Sequence, residues 1–248
     1  IEEFEKLINM QDNNVNNLDL NEDGETDYVR VVDKSEGNVH AFVLQVPVSE
    51  SENQDIAVIE LEKTGDTSAV VQIVGDEDIY GEEVIVEPNG GDEVNDADNG
   101  PFYPSGAYTP VRVVVNVWFW PSVRFIYGPV YRPWVSPWRW HVYPGWWRPW
   151  HPFAWRVWHP RVIRYHHPFV VVHTNRVVRA RTLYRPVRVT SVTVHSRHAT
   201  AVNNYRVTRT RTTVTGPRGN KAVKTTTTVR GKNGNVKAKK TTVRRRRG

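Results

Sequence analysis

The sequence predicts a β-rich chain. A small α+β domain of one short helix and an antiparallel meander comes first. An extended Trp/Pro-rich β segment follows, and then a C-terminal β-hairpin ribbon. Three observations lead there. Five short Val- and Ile-rich runs follow one another between residues 28 and 87, parted by polar turns. All ten Trp lie between Trp118 and Trp158, and eleven of the 16 Pro lie between Pro101 and Pro160. The triplet TTV recurs at 212–214, 227–229 and 241–243 with Gly-Asn pairs between the copies.

In chain order, Phe4, Leu7 and Ile8 stand at i, i+3 and i+4 in EEFEKLIN behind a first turn of acids, which predicts an amphipathic helix with its dipole complemented. YVRVV (28–32), HAFVLQVPV (40–48), DIAVIELE (55–62), SAVVQIV (68–74) and EEVIVE (82–87) read as strands, with the helix against one face of the meander. Together these make an acidic domain over 1–88. Residues 89–107, rich in Gly, Asn, Asp and Pro, read as a linker. From 108 to 200 the Pro density forbids long helices and central strands, so an extended chain packed by aromatics is expected, with strands in HPFVVVHTNRVV and RPVRVTSVTVHSRH. Residues 201–248 form the basic, Thr-rich repeat tail, where Asn233-Gly234 is a hairpin signal. Neither alternation of that tail is apolar, so the tail is expected to be disordered or to be held by a partner, a neighbouring subunit or a polyanion.

The net charge of +6 hides an asymmetry. All 27 Asp and Glu lie between Glu2 and Asp98, beside only Lys6, Arg30, Lys34 and Lys63, a formal −23. The remaining 29 Lys and Arg follow without a single acid. A back half without carboxylates holds no carboxylate dyad, Ser-His-Asp triad or carboxylate-oriented metal centre of its own. The absence of Cys removes thiol nucleophiles, zinc–thiolate sites and disulfides. No nucleophile–base pair is readable around His40, so the expectation is a non-enzymatic protein. The longest apolar run, Val113 to Trp120 with Asn116 interrupting it, is far short of the roughly 20 residues of a transmembrane helix.

The sharpest motif is DLNEDGETD, 19–27. Asp19, Asn21 and Asp23 occupy positions 1, 3 and 5 of a calcium loop. Gly24 allows the turn, Glu25 offers a main-chain carbonyl at position 7, and Asp27 falls at position 9. Calcium takes six to eight oxygens, and this spacing gathers them in one loop. Arg30 stands where an EF-hand has its bidentate Glu, so the loop resembles instead the DxDxDGxxD calcium loops between β-strands of integrin-type propellers. The competing reading is an Asx/Gly turn with solvated acids.

Trp118, Trp120, Trp134, Trp138, Trp140, Trp146, Trp147, Trp150, Trp155 and Trp158 interleave with Arg124, Arg132, Arg139, Arg148, Arg156, Arg161 and Arg164. The pattern suits cation–π packing within the segment, or stacking on sugars, bases or a membrane interface. His166, His167 and His173 lack a nearby acid, which argues against a metal centre. The tail ends in Arg244, Arg245, Arg246 and Arg247, a run suited to phosphate or sulfate. No nucleic-acid motif accompanies it. Its counter-charge is expected from the acidic front of another copy, building a head-to-tail filament, from a clamp within one chain, or from a foreign acidic polymer.

The front stretch from IEEFEKLINMQDNNVNNLDLNEDGETDYVRVV to VQIVGDEDIYGEEVIVEP, followed by a Trp-, Pro- and His-rich half, resembles a family of exported Gram-negative envelope proteins without known activity. The resemblance implies a cleaved signal peptide and a periplasmic, outer-surface or extracellular location, and a chain beginning at Ile1 is then expected to be processed or truncated. The expectation that results is an exported structural or interaction protein. It would carry calcium and self-assemble into an oligomer or filament; the alternative is a binder of acidic polysaccharide or lipopolysaccharide.

Overall fold

The computed structural model describes residues 1–80, 83–89, 114–162, 168–197, 205–215, 221–231 and 236–246. The protein is β-rich, and it divides into two compact units: Ile1–Val94 with Arg112–His195, and Asn95–Val111 with Ser196–Gly248.

The acids placed in its first turn start α1 (Glu2–Ile8), which a short 3-10 turn at Gln11–Asn13 follows. The alternating Val/Ile runs give β1 (Arg30–Glu36), β2 (Val39–Pro47), β3 (Asn53–Gly65), β4 (Ser68–Gly75) and β5 (Val84–Pro88), with a single turn, α2 (Glu77–Tyr80), before β5. Gly37, at φ +59°, turns β1 into β2 in the left-handed region that a side chain resists. A sixth strand, β6 (Phe169–Val172), joins β5 with Val86 opposite Val171, closing an antiparallel sheet in the order β1-β2-β3-β4-β5-β6.

Strand parity divides this sheet into two apolar faces. Val31, Phe42, Val46, Leu61 and Ala69 pack with Ile8 of α1 and with Val117, Val123 and Ile126 of the aromatic stretch. Ala41, Val43, Val58, Val74, Ile85 and Val172 face the other way, against Tyr184. The segments 1–88 and 108–200, so different in composition, therefore share one core within the first unit. Burial on both faces also explains why β2 reads as a near-continuous apolar run.

Between 114 and 162 the chain is largely irregular. It makes one isolated β-bridge to the sheet, Val32–Val135, and forms two short helices, α3 (Pro121–Ile126) and α4 (Trp155–Val162). Pro121 starts α3, where its missing N–H costs nothing.

The strand expectation for the stretch after 168 needs correcting. HPFVVVHTNRVV supplies β6, but its end leads into a helix, α5 (Val178–Tyr184). RPVRVTSVTVHSRH is a 3-10 turn at Arg185–Val187 and a helical turn at 192–197. Tertiary burial overrides the β-branched composition here: Val177, Ala180 and Tyr184 are buried at helical spacing on the sheet.

In the second unit, β7 (Tyr205–Thr215), β8 (Lys221–Gly231) and β9 (Val236–Arg246) form a three-stranded antiparallel sheet. Its registers place Thr210, Thr226 and Thr241 in one row and Arg209, Thr227 and Lys240 in another. The expected turns at Gly219-Asn220 and Asn233-Gly234 lie outside the described residues, as do His166, His167 and the linker beyond Asn89.

Candidate functional site

The acidic loop precedes β1 and is shaped by its own side chains. Asp19 accepts from the amides of Asp23 (3.1 Å) and Gly24 (3.0 Å) through its two oxygens. Asp23 accepts from the Glu25 amide at 2.8 Å and from Asn21 Nδ2 at 2.7 Å. Asp27 is buried, and its Oδ2 takes the Leu20 amide at 2.5 Å. Gly24, at φ +84°, makes the turn that its place in the motif demands.

The loop thus brings Asp19, Asn21, Asp23 and Asp27 around one turn, while the Glu25 side chain lies exposed. Burial, with the charges of Asp19 and Asp23 adding to it, pushes the Asp27 carboxyl up to about 7. A hard divalent cation would relieve that repulsion, and the donor set is all oxygen. The oxygens of Asp19 and Asp23 are meanwhile satisfied by loop N–H groups. No group of three or more His, Asp or Glu side chains is gathered at metal-holding distance among the described residues. Calcium would have to exchange those hydrogen bonds for coordination.

The aromatic segment clamps the loop, a relationship the sequence did not announce. Both the amide and Oγ1 of Thr26 donate to the Trp150 carbonyl at 2.8 Å. His151 Nδ1 donates to the Gly24 carbonyl at 2.7 Å. Asn17 and Phe153 exchange two hydrogen bonds, of 3.0 and 2.7 Å. Next to the loop, Tyr28 packs on Tyr143, Trp146 and Trp147 with ring centroids 5.8, 6.4 and 5.2 Å away.

The ten Trp do not act as one surface. Trp147 is core, while Trp120 and Trp146 are exposed. Trp118, Trp134, Trp138, Trp140, Trp150 and Trp158 are half-buried, and the Trp155 side chain lies outside the described residues. Trp118 lies under Lys63 at 4.7 Å, a contact between basic front residue and aromatic back, and Arg161 lies over Phe153 at 4.7 Å.

A second constellation joins the acids of the front to the basic stretch 176–195. Arg188 donates to Asp76 through Nε (2.6 Å) and Nη2 (2.9 Å), and to Asp78 at 2.8 Å. Arg176 pairs with Glu87 at 3.2 Å, Arg179 with Glu62 at 3.3 Å, and Arg181 with Glu83 at 2.5 Å. His195 reaches Asp78 at 2.7 Å. The clamp within one chain accordingly takes up this part of the basic half. Arg181 stands on α5, Arg185 opens the 3-10 turn and Arg188 follows it in extended backbone, so no single periodicity in the sequence announced the set. Under α5, a cavity of about 100 Å³ holds Glu60, whose carboxyl burial pushes up to about 7.

Arg244, Arg245 and Arg246 end β9, and Arg247 lies outside the described residues. No helix among the described residues is long and apolar enough to cross a membrane. No family model, curated protein or solved structure matches the chain.

Proposed function

We propose that this chain is a non-enzymatic envelope protein that binds an acidic polymer, a polysaccharide or lipopolysaccharide, through its basic three-stranded sheet. One observation carries the reading. The basic residues between 176 and 195 are matched by acids of their own first unit, whereas the stretch from Ser196 to Gly248 carries 16 Lys and Arg and no acid. Rows such as Arg209–Thr227–Lys240 set cation and hydroxyl residues on neighbouring strands, about 4.8 Å apart. A polyanion releases counterions on such a surface, so retention falls steeply with salt. The test is elution from immobilised heparin or acidic glycan. Replacing Arg244 through Arg247 by Gln lowers the eluting salt concentration; an unchanged elution would overturn the reading.

Self-assembly is the second reading, and a charge and an edge favour it. The first unit carries 25 acids against 17 Lys and Arg, a formal −8; the second carries two against 16, a formal +14. The outer strands β7 and β9, eleven residues each, are paired on one side only among the described residues. Filaments visible by electron microscopy at low salt, dispersing at high salt, are its expected outcome. In both readings calcium in the 19–27 loop fixes the clamp of Trp150 and His151. The exported location rests on the family resemblance.

A further inference from the structure

The short helix α3 turns apolar side chains outward. Val123 and Ile126 pack inward with the sheet core. At about 100° per residue, the opposite side of α3 carries Pro121, Arg124 and Phe125. Phe125 is 51% exposed, and the flanking Phe119, Trp120 and Val130 are 66%, 39% and 72% exposed. The Phe125 ring meets Tyr131 edge-on at 5.8 Å, which ties the helix to the turn that presents Val130. Single exposed apolar residues are ordinary; a group of them around one six-residue helix marks an interaction site.

Charge and backbone narrow the partner. Arg124 and Arg132 are exposed, and neither pairs with an acid among the described residues; Arg132 donates to the Pro129 and Tyr131 carbonyls instead. The two hairpin ends that this stretch bonds, through Asn116 to Thr67 and Tyr127 to Asn38, carry Lys34 and Lys63 against Glu36 and Asp66 and so cancel. Two positive charges remain beside the aromatics. The backbone is also largely satisfied. Pro121, Pro129 and Pro133 have no amide hydrogen, and the amides of Trp120, Arg124, Gly128 and Tyr131 are bonded within the stretch. A protein partner would ask for about one hydrogen bond per 100–200 Å² of interface. Lipid asks the reverse, because a backbone donor left unpaired near hydrocarbon is costly. Exposed Phe and Trp with Arg beside them suit an interfacial anchor facing anionic headgroups.

We propose that the outer face of α3, with its flanks, docks the protein on an anionic lipid bilayer. Phe119, Trp120, Phe125 and Val130 enter the interface, while Arg124 and Arg132 meet the lipid phosphates. The anchoring is peripheral and requires no spanning segment. It belongs to the first unit and does not depend on the basic sheet.

The full chain contains no Cys, so single thiol labels report position cleanly. Phe119→Cys, Val130→Cys and Val178→Cys each take one environment-sensitive fluorophore and are titrated with vesicles of phosphatidylcholine and phosphatidylglycerol. Val178 is exposed on α5, which packs on the opposite face of the sheet, and serves as the control. Labels at 119 and 130 are expected to shift to the blue and to be quenched by brominated acyl chains, and the label at 178 to do neither. Phe119→Asp lowers the partition coefficient about tenfold. Arg124→Gln lowers it about fivefold on these vesicles and leaves partition onto pure phosphatidylcholine unchanged. Both positions are on the surface, and an unaltered near-UV circular dichroism spectrum confirms that the variants fold. Absence of vesicle binding, equal shifts at all three labels, or partition indifferent to Phe119→Asp would overturn the proposal. So would a Phe119→Asp effect confined to self-association in vesicle-free solution. Replacing Arg244 through Arg247 by Gln separates this surface from the basic sheet: the blue shift at 119 and 130 persists at saturating lipid, and its loss would overturn the proposal.

Discussion

Trp134 Nε1 donates to Glu5 Oε2 at 3.0 Å across 129 residues of sequence. The same oxygen takes the Val31 amide at 2.8 Å, and Oε1 takes Tyr28 Oη and Ser136 Oγ, both at 2.9 Å. One carboxylate, 1% exposed, thereby joins α1, the start of β1 and the aromatic stretch. An ionised carboxylate accepts only, so four donors suit it and few other groups would.

Glu5→Gln turns one acceptor into a donor facing two donors. The expected cost is about 3 kcal/mol, read as a lower urea midpoint at unchanged m, with a changed near-UV signal from Trp134.

Arg188 holds Asp76, which is almost fully buried, by two nitrogens. Arg188→Ala leaves that carboxylate without its partner and should destabilise by about 3 kcal/mol. Arg188→Lys is expected to rescue less than half, because a point charge cannot span both Asp76 and Asp78. Urea unfolding of the three proteins checks both statements.

Calcium should raise the melting temperature of the wild-type chain. At a free concentration of about 100 times Kd the gain is about 2.7 kcal/mol. Asp19→Ala and Asp23→Ala remove first-half ligands and should abolish the shift. A melting temperature indifferent to calcium in the wild type would sink the loop as a calcium site.

The pH dependence carries a definite sign. The Asp27 carboxyl rises from 3.8 to about 7 on folding, so the folded chain holds that proton more tightly than the unfolded one. The stability it contributes is complete below pH 3.8 and is lost as pH rises through about 7. Glu60, raised from 4.5 to about 7 by burial, acts in the same direction. Asp27→Asn keeps an oxygen for the Leu20 amide and should flatten the wild-type decline between pH 4 and 7. Calcium should flatten it as well, by displacing the Asp27 proton, and it should leave the Glu60 contribution in place.

The meander was legible because its strands alternate and are punctuated: the runs at 40–48 and 68–74 reappear almost residue for residue as β2 and β4. The Asp19–Asp27 turn was legible because side-chain oxygens at positions 1, 3 and 5 cap their own loop amides. Val178–Tyr184 was not, because Val and Thr favour strands locally and only the burial of Ala180 and Tyr184 on the sheet selects a helix. Trp150 and Thr26 lie 124 residues apart, and nothing local in either segment encodes their pairing.

The central sheet has a temporal consequence. Strands β1 to β5 leave the ribosome, or emerge from a translocation pore, well before Val117, Val123 and Tyr184, which cover their two apolar faces. During that interval the nascent front half is a sheet without a roof or a floor, prone to stick to whatever it meets. A chain cut at residue 88, where composition changes most sharply, would keep that exposure for good. The boundary most inviting to an expression experiment is therefore the one expected to yield aggregates.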